Sequence, residues 1–170
     1  MLFENALKVF ASIPPEWQIF LITFLPLLEL RASIPYGILV LNMGWLSVFI
    51  IAAVSNIILG IAVYFFLDKV IHIFLRIKRF NSIYSKYVEK TQKKIIPYVE
   101  KYGKAALAVF IGIPLPASGV YTGALAAYLL GMDFKKFMVA NIFGVLIAAV
   151  IVTAVVLTGA SAFSLFVKMV

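Results

Sequence analysis

Apolar residues run along this chain in four long blocks, and the four are interrupted differently. Trp45 to Leu67 is 23 residues without a charge, and Phe137 to Gly159 is again 23. A helix needs about 20 apolar residues to cross a hydrocarbon core of about 30 Å. Both blocks therefore predict membrane-spanning helices. The other two, Trp17 to Leu41 and Ala105 to Met132, are as apolar but are punctuated by Pro26, Pro35 and Gly37 in the first and by Pro114, Pro116, Gly119 and Gly123 in the second. Proline removes a backbone donor and disfavours helix just before itself. Each broken block thus predicts two half-helices that enter and leave on one side, a re-entrant hairpin. Non-helical backbone at that depth is tolerated where it is buried in protein or lines a wet cavity.

The order is broken block, clean span, linker, broken block, clean span. LNMGWLSVF (41–49) also echoes LGMDFKKFM (130–138) at the start of each span. The pattern predicts an all-α polytopic membrane protein of two inverted repeats, each a re-entrant hairpin plus a transmembrane helix. The expected divisions are an interfacial amphipathic helix over 1–16, repeat 1 over 17–67, a linker over 68–104, repeat 2 over 105–159 and a C-terminal tail over 160–170. Leu2, Phe3, Leu7, Val9 and Phe10 are the apolar side of the interfacial helix. Interrupted segments at matching positions of two halves point to a transporter's binding site, so the two breaks are expected to meet near the midplane. A bundle this small is expected to seal its site as a homodimer.

Composition changes the class and not the pattern. Of 170 residues, 64% are hydrophobic, against about 45–50% for a soluble domain, which predicts an integral membrane protein. Fifteen Lys and Arg stand against seven Asp and Glu. In a membrane chain that excess is a topology signal, and no nucleic-acid partner is expected. Ten of the fifteen fall in residues 68–104, where Val70, Phe74, Ile77, Tyr84 and Tyr87 recur near helical spacing. This predicts a basic amphipathic linker on the cytoplasmic face, drawn to anionic lipid. A solvated charged loop that only sets orientation is the competing reading. The charges outside the linker favour re-entrant hairpins and four plain spans equally, so the proline breaks decide for hairpins. The N-terminal stretch mixes Glu4, Lys8 and Glu16 with apolar residues and does not read as a signal peptide. There is no cysteine, and the single His72 lies in the linker, so neither a metal nor a cofactor is expected. A nucleophile–His–acid set, paired carboxylates and a phosphate loop are all missing, so the chain is not expected to be an enzyme.

Chemistry concentrates in PLLELRASIPYG (26–37). Glu29 and Arg31 are the only charged side chains between Trp17 and Leu67. An ionised carboxylate in hydrocarbon costs at least about 2.5 kcal/mol, which predicts a proton-coupling or substrate-binding role for Glu29. A structural ion pair with Arg31 is the plainer reading. Residues two apart on an ideal helix do not face each other, so such a pair requires a local break. Arg31 carries a planar fork suited to phosphate or carboxylate, or satisfies Glu29 and freed carbonyls. Ser33, Pro35 and Gly37 are expected to form the first break, and Pro114, Pro116, Ser118, Gly119, Tyr121, Thr122 and Gly123 the second. Half-helix N-termini there suit an anion, while Gly119 and Gly123 also fit close helix packing. Asn56 and Asn141 read as interhelical hydrogen-bonding residues, and Trp17 and Trp45 as interface anchors.

ELRASIPYG (29–37) followed by IPLPASGVYTGALAAYLLGM (113–132) resembles the small multi-drug export protein family, over nearly the whole chain. That family looks like a distant branch of the DedA superfamily, which includes the VTT proteins. The resemblance implies the same two inverted hairpin-plus-helix repeats in a prokaryotic cytoplasmic (inner) membrane, with 68–104 cytoplasmic. It implies proton-coupled translocation of a lipid phosphate, polyprenyl-phosphate-like, or of a phospholipid, with Glu29 as proton carrier and Arg31 as anion anchor. DedA members carry arginines in the second hairpin, and this chain has none between Ala105 and Met132. The alternatives are export of cationic hydrophobic drugs, with Glu29 binding the cation, and a non-transporting membrane factor.

Overall fold

The computed structural model describes residues 10–26, 28–75, 102–113 and 119–168. Helix α1 is Pro15–Thr23, α2 is Glu29–Pro35 and runs directly into a π-helix at Tyr36–Val40, and α3 is Trp45–Leu75. Helix α4 is Tyr102–Gly112, α5 is Val120–Leu129 and α6 is Phe134–Lys168. All elements among the described residues are helical. Two stretches are long and apolar enough to cross a membrane, Trp45–Leu67 in α3 and Phe134–Gly159 in α6. The short helices differ in kind. With nine residues in α1 and ten in α5, each is about 15 Å long at about 1.5 Å per residue, half of a hydrocarbon core.

The surface of the long helices identifies their solvent. Leu46, Ile50, Val54 and Ile58 form an exposed stripe at every fourth residue of α3, and Val139, Phe143, Val150 and Val155 are exposed on α6. The buried positions include Ser55, Asn56, Asn141 and Thr153. A contiguous apolar exterior over a partly polar interior is unfavourable in water and favourable in lipid. The chain is an integral membrane protein.

Two compact units divide it, residues 1–56 with 148–170 and residues 57–147, and the division falls inside both long helices. In the first unit, α1 packs against α2 and the π-helix. Ile19, Leu30, Ile34, Val48 and Ala52 are buried there. Gly37 is the contact point, because a Cβ on it would lie 2.8 Å from Val48 Cγ1 and 3.0 Å from Ile19 Cδ1. In the second unit, α4 meets α5 through Ile111 and Gly123, and α4 meets α6 through Gly112 and Gly144. Tyr64 of α3 donates to the Met132 carbonyl at 2.8 Å and stacks on Phe137, with ring centroids 4.8 Å apart. Asn141 donates to the Ile57 carbonyl at 3.2 Å, so it makes the interhelical bond expected of it.

The elements recur at one step. Trp45 opens α3 and Phe134 opens α6, 89 residues on. Asn42 (φ 51°) and Gly131 (φ 67°), the left-handed residues before those helices, are separated by the same 89 residues. Thr23 and Gly112 close the first limbs at that step as well. Glu29 (φ 47°) and Gly119 (φ 149°) open the second limbs, 90 residues apart.

Three helices run across the expected divisions. Helix α3 continues through Leu75, past the expected linker start at 68, and α6 continues to Lys168, through most of the expected tail. Charged residues end an apolar run without ending a helix, since a helix leaving the membrane keeps its own backbone bonds. The expected interfacial helix over 1–16 overlaps α1, which starts at Pro15 with proline in its first turn, where its missing N–H costs nothing. Leu2, Phe3, Leu7 and Val9, and linker residues 76–101 with Ile77, Tyr84 and Tyr87, lie outside the described residues.

Candidate functional site

The first hairpin turns at 24–28, not at Ser33–Gly37. The Leu25 carbonyl accepts from the Leu28 and Glu29 amides, each at 3.2 Å, and α2 starts at once. Ser33 and Pro35 sit inside α2, and Gly37 is in the π-helix. Pro35 lacks the N–H that would bond four residues back. The Tyr36 N–H still bonds to the Ala32 carbonyl four residues back, and the helix widens beyond it. Leu41 N donates to the Tyr36 carbonyl at 3.1 Å, a π-helical bond, and Met43 N to the Gly37 carbonyl at 3.0 Å. The expected break at Ser33, Pro35 and Gly37 is therefore a change of helical pitch, and Pro26 belongs to the actual turn.

Glu29 is the first residue of α2, at φ 47°, and is only 6% exposed. A non-glycine residue at positive φ is strained by about 1–3 kcal/mol, and such strain gathers at functional sites. Arg31, two residues on, is half-buried and within electrostatic reach of Glu29.

Below Glu29 the interface of α1 and α2 is polar. The Thr23 and Ser33 hydroxyls are hydrogen-bonded at 2.7 Å with neither side chain exposed, and Thr23 also donates to the Ile19 carbonyl at 2.8 Å. A carbonyl only accepts, so when Thr23 serves Ile19 the proton between the hydroxyls comes from Ser33. Further along, Tyr36 donates to Gln18 Oε1 at 2.7 Å, and Gln18 Nε2 donates to the Ile13 carbonyl at 2.8 Å. Gln18, Thr23 and Tyr36 were not singled out from sequence. The available signal was that Gln18 and Thr23 are the strongest hydrogen-bonding side chains between Trp17 and Leu25.

At the second break, Pro114, Pro116 and Ser118 lie outside the described residues. Gly119 precedes α5 at φ 149°, ψ −168°, a region open essentially to glycine alone. Its carbonyl accepts from Gly123 N at 2.8 Å and from Thr122 Oγ1 at 3.3 Å. Gly123 is there for space, since a Cβ would lie 2.5 Å from Ile111 Cγ1. Tyr121 and Thr122 are half-buried. Among the described residues this half holds neither acid nor base near the break. An open apolar cleft of about 320 Å³ lies between α4 and α5 toward the ends away from the break, lined by residues that include Tyr102, Leu107, Phe110 and Met132. Asn56 Oδ1, Asn141 Oδ1 and Thr153 Oγ1 are buried without a hydrogen-bond partner among the described residues.

The family model described as "Putative small multi-drug export protein" matches residues 29–151, from Glu29 into the second long helix. Searches of curated proteins and of solved structures returned no match.

Proposed function

The chain belongs to the small multi-drug export protein family, a family of membrane transporters, and on that premise we propose that it is a proton-coupled transporter of an amphiphilic substrate. The observation that carries the reading is the placement of Glu29, a carboxyl 6% exposed at a strained helix start inside an apolar block. A lone acid in that setting is the side chain able to load on one face and unload on the other, as a proton-coupled carrier requires. Arg31 beside it anchors an anionic head group, which favours a lipid phosphate as substrate. The family's description favours a cationic hydrophobic compound instead. In that case Glu29 holds the cation and Arg31 opposes it.

The architecture we propose is two inverted repeats of re-entrant hairpin plus span. What supports it is the common step of 89 residues, the paired left-handed residues and the half-length limbs. With one crossing per repeat, the second repeat is inverted. The basic segment then lies on the cytoplasmic side of the inner membrane against anionic lipid, and a second copy seals the site. Translocation needs no covalent step, so the protein acts as a carrier and not as an enzyme. The test is appearance of a polyprenyl phosphate in the far leaflet of proteoliposomes, with and without a pH gradient. Gradient-dependent movement lost in Glu29→Gln supports the reading, and movement no faster than in protein-free vesicles removes the lipid-phosphate substrate.

A further inference from the structure

The limbs of the second hairpin meet at one end and part at the other. Near the break α4 and α5 touch, since a Cβ on Gly123 would lie 2.5 Å from Ile111 Cγ1. Toward Tyr102 and Leu130 they leave the open cleft of about 320 Å³. The residue pattern makes this room. Tyr102, Ala106 and Phe110 recur at every fourth residue of α4 and so share one face. Ala126 and Leu130, one turn apart, line the cleft from the other limb. Between the larger side chains at either end, Ala106 and Ala126 bring only a methyl group each, and the middle stays unfilled. The rim lies on the outside of the protein, with Tyr102 57% and Phe110 42% exposed. The cleft therefore opens sideways, onto lipid.

What fits is set by the lining and by the charges at its end. Tyr102 is the one lining residue with a polar side-chain group, so a charge or an amide carried into the cleft would be buried without a partner. A hydrocarbon chain loses nothing there. From Tyr102 to Phe110 the α4 wall is about 12 Å long, at about 1.5 Å per residue, room for part of one chain. The Tyr102 end is basic. Lys104 follows the lining Gly103 and is exposed, and Lys135 and Lys136 come three and four residues after the lining Met132. Against them stands one carboxylate, Asp133, which already accepts from the Lys135 amide at 3.1 Å. An aromatic residue beside lysine at the start of an apolar block marks the level of the lipid head groups. We propose that the α4–α5 cleft seats one hydrocarbon chain of an anionic membrane lipid, with the head group at the Lys104 end. This needs only that the chain lies in a membrane, and it stands whether or not Glu29 carries a proton.

The experiment titrates the full chain in detergent micelles with phosphatidylglycerol and, separately, with phosphatidylcholine of the same chains. Native mass spectrometry counts the lipids bound. Wild type is expected to take one phosphatidylglycerol at a lower concentration than its first phosphatidylcholine. Ala106→Phe, which fills the cleft, is expected to weaken that first site by at least about tenfold. Ala105→Phe makes the same change at an exposed position outside the lining and is expected to leave the site unchanged. Lys104→Gln is expected to weaken phosphatidylglycerol by about fivefold, the worth of one basic residue at a lipid surface, and to leave phosphatidylcholine as it was. Thermal unfolding without added lipid shows which variants are folded. Should Ala106→Phe fail to fold, Ala126→Phe fills the cleft from the other limb. Equal binding by wild type and a folded cleft-filling variant overturns the proposal, as does an equal loss in Ala105→Phe. A wild type that takes both lipids equally overturns the anionic head group, and the proposal with it.

Discussion

Gly60 of α3 lies directly beneath the carboxamide of Asn141 of α6, and a Cβ at position 60 would overlap that carboxamide. The same Asn141 donates to the Ile57 carbonyl at 3.2 Å, so the glycine creates the space in which the interhelical bond forms. Gly60→Ala is expected to cost about 1–3 kcal/mol from overpacking, more than the helix propensity of alanine returns, at most about 1 kcal/mol. Asn141→Ala removes the bond and should cost about 1 kcal/mol. In the double variant the clash has gone, so its loss should fall short of the sum by at least about 0.5 kcal/mol. Thermal unfolding in detergent of the four proteins checks this, and simple additivity refutes the contact.

Gly119 and Gly123 differ in what they supply. Gly119 sits at φ 149°, ψ −168°, where a Cβ is strained whatever room is available. Gly119→Ala is expected to cost about 1–3 kcal/mol, and trimming a neighbour should not recover it. Gly123→Ala meets the Ile111 side chain, and trimming Ile111 to Ala should recover part of the loss. Stability measurements on the two single and two double variants separate backbone strain from crowding.

What the sequence made legible follows from solvent. The uncharged runs at 45–67 and 137–159 fall within the two long helices because lipid demands uninterrupted apolar surface. Their ends were not legible, since α3 and α6 run on to Leu75 and Lys168 through charged residues that helices outside the membrane accept. Pro35 marked an irregularity but not its kind. The helix passes through Pro35 and widens over Tyr36–Val40, where Gly37 packs against Val48 and Ile19. Glu29 and Arg31 were visible as charges in an apolar run. The polar contacts between α1 and α2 were not, because Gln18, Thr23, Ser33 and Tyr36 match only once α1 is folded back on α2.

Asn42 and Gly131 stand 89 residues apart, each before a long helix, and share a left-handed backbone, at φ 51° and 67°. Asparagine tolerates that region and glycine occupies it freely. Asn42→Gly should therefore change stability by no more than about 1 kcal/mol, while Asn42→Val and Gly131→Val should each cost about 1–2 kcal/mol or more. Similar losses at both sites, read by thermal unfolding, support the repeat. A loss at one alone argues that the two turns are unrelated.

The charges of Glu29 and Arg31 should be separable from each other in stability and inseparable in transport. Glu29 is buried and Arg31 half-buried, and the field of one reaches the other. Removing one partner of a buried pair is the costly change, because the remaining charge has lost its compensation, whereas replacing both is often neutral. Arg31→Gln should thus destabilise by about 1–3 kcal/mol, less than for a fully buried pair because the arginine is only partly buried. Glu29→Gln added to Arg31→Gln should return most of that loss, since the carboxylate no longer needs a cation. Transport should behave otherwise. If Glu29 carries the proton and Arg31 the anion, each single variant abolishes gradient-driven movement of an anionic amphiphile, and the stable double variant does not regain it. Recovery of transport along with stability would show that the two charges only hold the hairpin, and would place the substrate elsewhere.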